Sequence, residues 1–62
     1  MDITKIGSNA GIVWNVLNNN GALTYEQLKR ETKMTEFALF SALGWLARED
    51  KLKPIGDTIA LK

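Results

Sequence analysis

The chain has 62 residues, a net charge of +1, a 45% hydrophobic share and neither Cys nor His. That is one domain at most. It excludes disulfides, thiolate chemistry and ordinary zinc sites, and it excludes a strongly basic nucleic-acid protein, though not a local basic patch. The 24% charged fraction is ordinary and argues against disorder. No apolar run approaches the ~18 residues that cross a membrane. Met1-Asp2-Ile3-Thr4-Lys5 is no signal peptide, so a cytoplasmic location is expected. A domain this small is expected to be marginally stable.

In chain order, a first helix is predicted from Ser8 or Asn9, both good caps, to Asn18-Asn19-Asn20-Gly21. Asn and Gly tolerate the left-handed conformation that closes a helix. Ala10, Val13, Trp14 and Leu17 recur at the spacing of one helical face. Ile12 and Val16 form a second stripe, which Ile3 and Ile6 of the N-terminal segment are expected to cover. Gly11 weakens this helix by roughly 1 kcal/mol relative to Ala.

Ala22-Leu23 reads as a short extended piece. Thr24-Tyr25-Glu26-Gln27 fits a capping box that opens a second helix, about two turns to Thr32, centred on Leu28. Lys33-Met34 turns the chain. Thr35 caps a third helix, expected to be the longest, running to about Glu49 or Asp50. Leu52–Ile55 and Thr58–Leu61 read as strands joined by Gly56-Asp57, a hairpin with Gly first as a type II′ turn requires. That register sets Leu52 opposite Leu61 and Pro54 opposite Ile59. Pro54 cannot donate to a ladder, so its strand lies at an edge.

Helix, short strand, helix, tight turn, helix and hairpin together predict an α+β winged helix-turn-helix over residues 1–62. The third helix would be the recognition helix and the hairpin the wing. The run Phe40-Ser41-Ala42-Leu43-Gly44-Trp45-Leu46-Ala47-Arg48-Glu49 sharpens this. With Ile6-Gly7-Ser8-Asn9-Ala10-Gly11, Trp14 and Leu23-Thr24 through Leu28-Lys29, it resembles a family of small, stand-alone winged helix-turn-helix proteins of bacteria and archaea. That family is often filed among domains of unknown function. The resemblance implies the fold and a transcription-related role, and it brings no catalytic residues and no cofactor.

Periodicity places Leu39, Ala42, Leu43 and Leu46 on the core side of the third helix. Phe37, Ser41, Gly44 and Arg48 then face outward, with Phe40 and Trp45 on the flanks. Base readers are typically Arg, Lys, Asn or Gln. Here the outward face holds a single Arg near its far end, and Glu36 would meet phosphates with the wrong sign. Lys29, Arg30, Lys33, Arg48, Lys51 and Lys53 could hold phosphates without reading sequence. The plain alternative is a mixed, solvated surface with helix pairs such as Glu26 with Arg30. The two-residue wing turn is short for insertion into a minor groove.

Two functions stay open at this point. One is a regulatory module with weak, mainly phosphate-directed DNA binding through those six cations. The other is a protein-interaction module or homodimer using Phe37, Ser41, Gly44 and Trp45, aromatic anchors beside small residues. Its plain alternative is that the N-terminal segment or the wing covers both rings. Gly44 could mark an interface or close packing, with close packing slightly preferred. Tyr25 could stack a base, or pack beside the start of its own helix, which is favoured. Catalysis finds little support: no His or Cys pairs with a hydroxyl, no glycine loop cradles phosphate, and no room for a usual ligand pocket is expected. The expectation is a non-enzyme without metal, cofactor, small-molecule substrate or membrane.

Overall fold

The computed structural model describes residues 3–62, arranged as α1 (Ile3–Asn20), β1 (Leu23–Thr24), α2 (Tyr25–Thr32), α3 (Glu36–Arg48), β2 (Leu52–Ile55) and β3 (Thr58–Leu61). This is the winged helix-turn-helix order expected from the sequence. No helix among the described residues is long and apolar enough to cross a membrane.

Helix α1 departs most from the expectation. It begins at Ile3 rather than Ser8 or Asn9, and its 18 residues make it longer than the 13 of α3. Packing explains the extra turns. Ile6, Ala10, Val13 and Leu17 form one continuous stripe, half-buried at Ile6 and buried at the other three. A helix gains most of its stability from such a face rather than from local propensity, so Gly7 and Gly11 are carried along inside it. Ile6 lies on that first stripe rather than over the second, and it lines an open crevice with Phe37, Ala38 and Ser41 of α3. Ile12 of that stripe stays 48% exposed. The side chain of Ile3 lies outside the described residues. Trp14 is 38% exposed and sits at the margin of the face it was assigned to. The helix stops where expected: Gly21 has φ +78°, its N–H donates to the Leu17 carbonyl (2.9 Å), and the Asn20 amide donates to the Val16 carbonyl (2.8 Å).

Helix α2 opens with the capping box. Thr24 Oγ1 accepts from the Gln27 N–H (3.1 Å), and Gln27 Oε1 accepts from the Thr24 N–H (2.8 Å). Two orphan donors of the first turn are thereby satisfied. Leu28 is the one fully buried residue of this helix. Lys33 closes it in the left-handed region, φ 56° and ψ 26°. In α3, Thr35 Oγ1 accepts from the Ala38 N–H (3.2 Å). At its other end Asp50 adopts φ 59°, with the Asp50 N–H donating to Ala47 and the Lys51 N–H to Leu46. That pair of bonds is a Schellman closure, built on Asp where Gly is usual.

The three strands form one antiparallel sheet in the order β1-β3-β2. The hairpin register is the expected one, Leu52 opposite Leu61 and Pro54 opposite Ile59, and β2 is an edge strand. Gly56 at φ +60° makes the turn. The short strand β1 pairs with β3 through Leu23 and Ile59, which ties the wing to the helix-turn-helix. The core is Ala10, Val13 and Leu17 of α1, Leu28 of α2, and Leu39, Ala42, Leu43 and Leu46 of α3. Leu23, Leu52, Ile59 and Leu61 of the sheet pack on it.

Candidate binding surfaces of the third helix and wing

Burying Leu39, Ala42, Leu43 and Leu46 fixes the rotation of α3. The residues left outside are Glu36, Phe37, Phe40, Gly44, Ala47 and Arg48, all exposed, with Ser41 half-buried. Phe37 is 58% and Phe40 61% exposed. Neither the N-terminal segment nor the wing covers them. At about 100° per residue these seven positions fall within one arc of the helix.

Phe40 was expected on a flank, yet it stands within this surface. Its ring stacks on Tyr25, with centroids 4.9 Å apart and planes inclined at 25°. Tyr25 is thus tied to α3 rather than only to its own helix, and its hydroxyl is buried with no hydrogen-bond partner among the described residues. Gly44 is not a close-packing glycine. A Cβ built there meets nothing within 4 Å. Trp45 stands apart from the stripe. It is half-buried against the core and lines a different crevice with Gly7, Gly11 and Trp14 of α1.

Between α3 and the wing runs an apolar groove of about 440 Å³, lined by Phe40, Leu43, Gly44 and Ala47 on one side and by Leu52, Pro54 and Ile59 on the other. Its volume exceeds what so small a domain was expected to hold. It is a hollow of the surface, walled by exposed Phe40, Gly44, Ala47 and Pro54, rather than an internal cavity. The sequence sets Pro54 opposite Ile59, but that this face of the hairpin turns toward α3 follows from the packing of the sheet on the core, which no local signal carries.

The six cations fall into two groups at the two ends of α3. Lys29, Arg30 and Lys33 belong to α2 and its closing turn, and Arg48, Lys51 and Lys53 to the end of α3 and the start of the wing. The ends of α3 lie ~18 Å apart along its axis, at about 1.5 Å per residue. Lys29 pairs with Glu36 (3.4 Å) and Lys51 with Glu49 (3.5 Å). The first pair offsets the unfavourable charge of Glu36. Arg30, Lys33, Arg48 and Lys53 make no ion pair among the described residues, so the pair expected between Glu26 and Arg30 does not form. Asp57 at the wing tip adds a charge of the wrong sign for a minor groove.

Comparison with known proteins agrees with this architecture. The profile of the winged helix-turn-helix domain family DUF2582 matches residues 1–55. Searches of curated proteins and of solved structures gave no significant match. A match over so much of the chain, on a structure with three helices and a three-stranded antiparallel sheet in winged-helix order, places this protein in the winged helix-turn-helix domain family DUF2582.

Proposed function

We propose that this chain is a regulatory winged-helix module that holds duplex DNA weakly, through phosphates, without reading base edges. Winged-helix and related helix-turn-helix folds commonly present a helix to DNA. The observation that carries the finer reading is the charge layout. Among the described residues Arg30 and Lys33, at one end of α3, and Arg48 and Lys53, at the other, have no ion-pair partner, while the helix between them exposes apolar side chains. Lys29 and Lys51 join these groups when phosphates compete with Glu36 and Glu49. The work of such a module lies in the cytoplasm.

The test is a titration with a mixed-sequence duplex at low salt, following each backbone amide by NMR. Shifts at residues 29–33 and 48–53 are expected, fading as salt rises. Four to six phosphate contacts predict a log–log salt slope of roughly −4 to −5. Arg30→Glu combined with Lys33→Glu should abolish binding while the fold persists. An unchanged low-salt spectrum would remove the DNA reading for this chain alone.

A second reading has its own support. Phe37 and Phe40 are large rings left in solvent on a helix whose single cation is Arg48 at its far end. Aromatic side chains of this kind are enriched at protein interfaces. On this reading the outward face of α3 binds a protein, either another copy of the chain or a different partner, with Ser41 and Gly44 allowing close approach.

A further inference from the structure

Of the five asparagines in the chain, Asn20 alone is followed by glycine. That dipeptide carries a chemistry that the binding surfaces do not use: attack of the Gly21 backbone nitrogen on the side-chain carbonyl carbon of Asn20. The other four asparagines precede Ala10, Val16, Asn19 and Asn20, whose Cβ atoms crowd such an approach. Gly21 has no Cβ, and one built there meets nothing within 4 Å. Both residues of the dipeptide are exposed. Two hydrogen bonds stand against the reaction. The Gly21 N–H donates to the Leu17 carbonyl (2.9 Å), which shields the proton that the nitrogen must lose before it attacks. The Asn20 Nδ2 donates to the Val16 carbonyl (2.8 Å), which holds the amide on the preceding turn.

We propose that Asn20-Gly21 is a self-modification site, at which Asn20 converts to aspartate and isoaspartate, and that fraying of the last turn of α1 sets the rate. The Gly21 nitrogen gives its proton to solvent base and bonds to Cγ of Asn20. The Cγ–Nδ2 bond breaks, and ammonia leaves with a proton from solvent. Water then opens the cyclic imide at one of its two carbonyls, so the whole change is water in and ammonia out. The gate is local. Asn18, Asn19, Asn20 and Gly21 are all exposed, and Leu17 is the last buried residue of α1. A helix end held this way opens far more often than the whole domain unfolds. The product cannot easily close the turn again. Aspartate at position 20 has no amide to donate to Val16, and it adds negative charge at the negative end of the helix. The last turn of α1 has no basic side chain to offset that charge. Isoaspartate lengthens the main chain by one carbon just ahead of β1, whose Leu23 pairs with Ile59.

The test follows the full chain at mildly alkaline pH by peptide mass spectrometry, with aspartate and isoaspartate peptides separated, in buffer and in concentrated urea. In urea, conversion at Asn20 should lead that at the other four asparagines. In buffer it should be slower by about ten- to a hundredfold, the range of local opening. Amide hydrogen exchange reads the same gate, because exchange and attack both begin with a freed Gly21 N–H. The two protection factors should agree within about threefold, as expected of one shared local opening. Both should stay flat in urea below the unfolding transition, since fraying exposes little surface. Asn20→Asp, a stand-in for one product, should melt roughly 2–8 °C below the wild type. No conversion in urea, earlier conversion at another asparagine, or equal rates in buffer and urea would overturn the proposal. Rates that climb with urea below the transition would move the gate to global unfolding and overturn the local one. An Asn20→Asp variant that melts with the wild type would overturn the cost assigned to the product.

Discussion

Lys33→Gly separates the structural role of one residue from its proposed binding role. Lys33 closes α2 at φ 56° and ψ 26°, and its N–H donates to the Lys29 carbonyl (2.9 Å). A residue with a Cβ spends roughly 1–2 kcal/mol in that conformation. Glycine adopts it freely but loses about 0.5–1 kcal/mol more backbone entropy on folding. The difference leaves a net gain of about 0.5–1 kcal/mol. In a domain of this size that corresponds to a rise in Tm of roughly 2–8 °C, measured by thermal melting with far-UV circular dichroism. The same variant removes one proposed phosphate contact, so the log–log salt slope of DNA binding should become shallower by about 0.9. A lower Tm would refute the conformational argument and assign Lys33 a packing role. A higher Tm with an unchanged salt slope would leave the turn argument standing and remove Lys33 from the binding set.

Leu28→Ala should cost about 2–5 kcal/mol, because Leu28 is wholly buried and is the only buried residue anchoring α2. A chain of 62 residues has roughly 3–9 kcal/mol in all, so urea denaturation should show about a fifth of the stability gone at the least. Tyr25→Phe keeps the ring stacked on Phe40 and removes a buried hydroxyl without a partner. It should be neutral or stabilising by about 1 kcal/mol, and a loss above that in the same urea assay would mean the hydroxyl is satisfied. Thr24→Ala removes the acceptor for the Gln27 N–H and should lower stability by about 1 kcal/mol, seen as a fall in Tm of several degrees.

The fold was legible wherever the signal was local. Thr24 with Gln27, Thr35, Gly21 and Gly56-Asp57 each announce an end or a turn through their own short-range hydrogen bonds or conformational freedom. Those features stand as expected. The start of α1 was not legible, because Ser8, Asn9 and two glycines argue locally for a later beginning. The stripe that Ile6 shares with Ala10, Val13 and Leu17, half-buried at Ile6 and buried beyond it, overrides them. The pairing of β1 with β3 was equally hidden, since two residues carry no period. At the candidate surface, helical periodicity separated the core side of α3 from its outside. It could not show that Gly44 faces open space, that Trp45 lines a crevice with Trp14, or that Phe40 stacks on Tyr25. Those depend on what neighbouring elements do, and only the assembled structure contains that information.

The family assignment and the surface chemistry constrain different things. The fold decides that α3 lies between α2 and the wing in chain order, and four buried residues hold one side of it on the core. It does not decide what the other side of that helix carries. A DNA reader would place amide and guanidinium groups at those positions, and this chain places Phe37, Phe40, Gly44 and Ala47. Two large rings left in solvent lose the hydrophobic stabilisation that a partner surface would supply. The cations kept at both ends of the helix are compatible with a partner on its face, because phosphate contacts need no access to base edges.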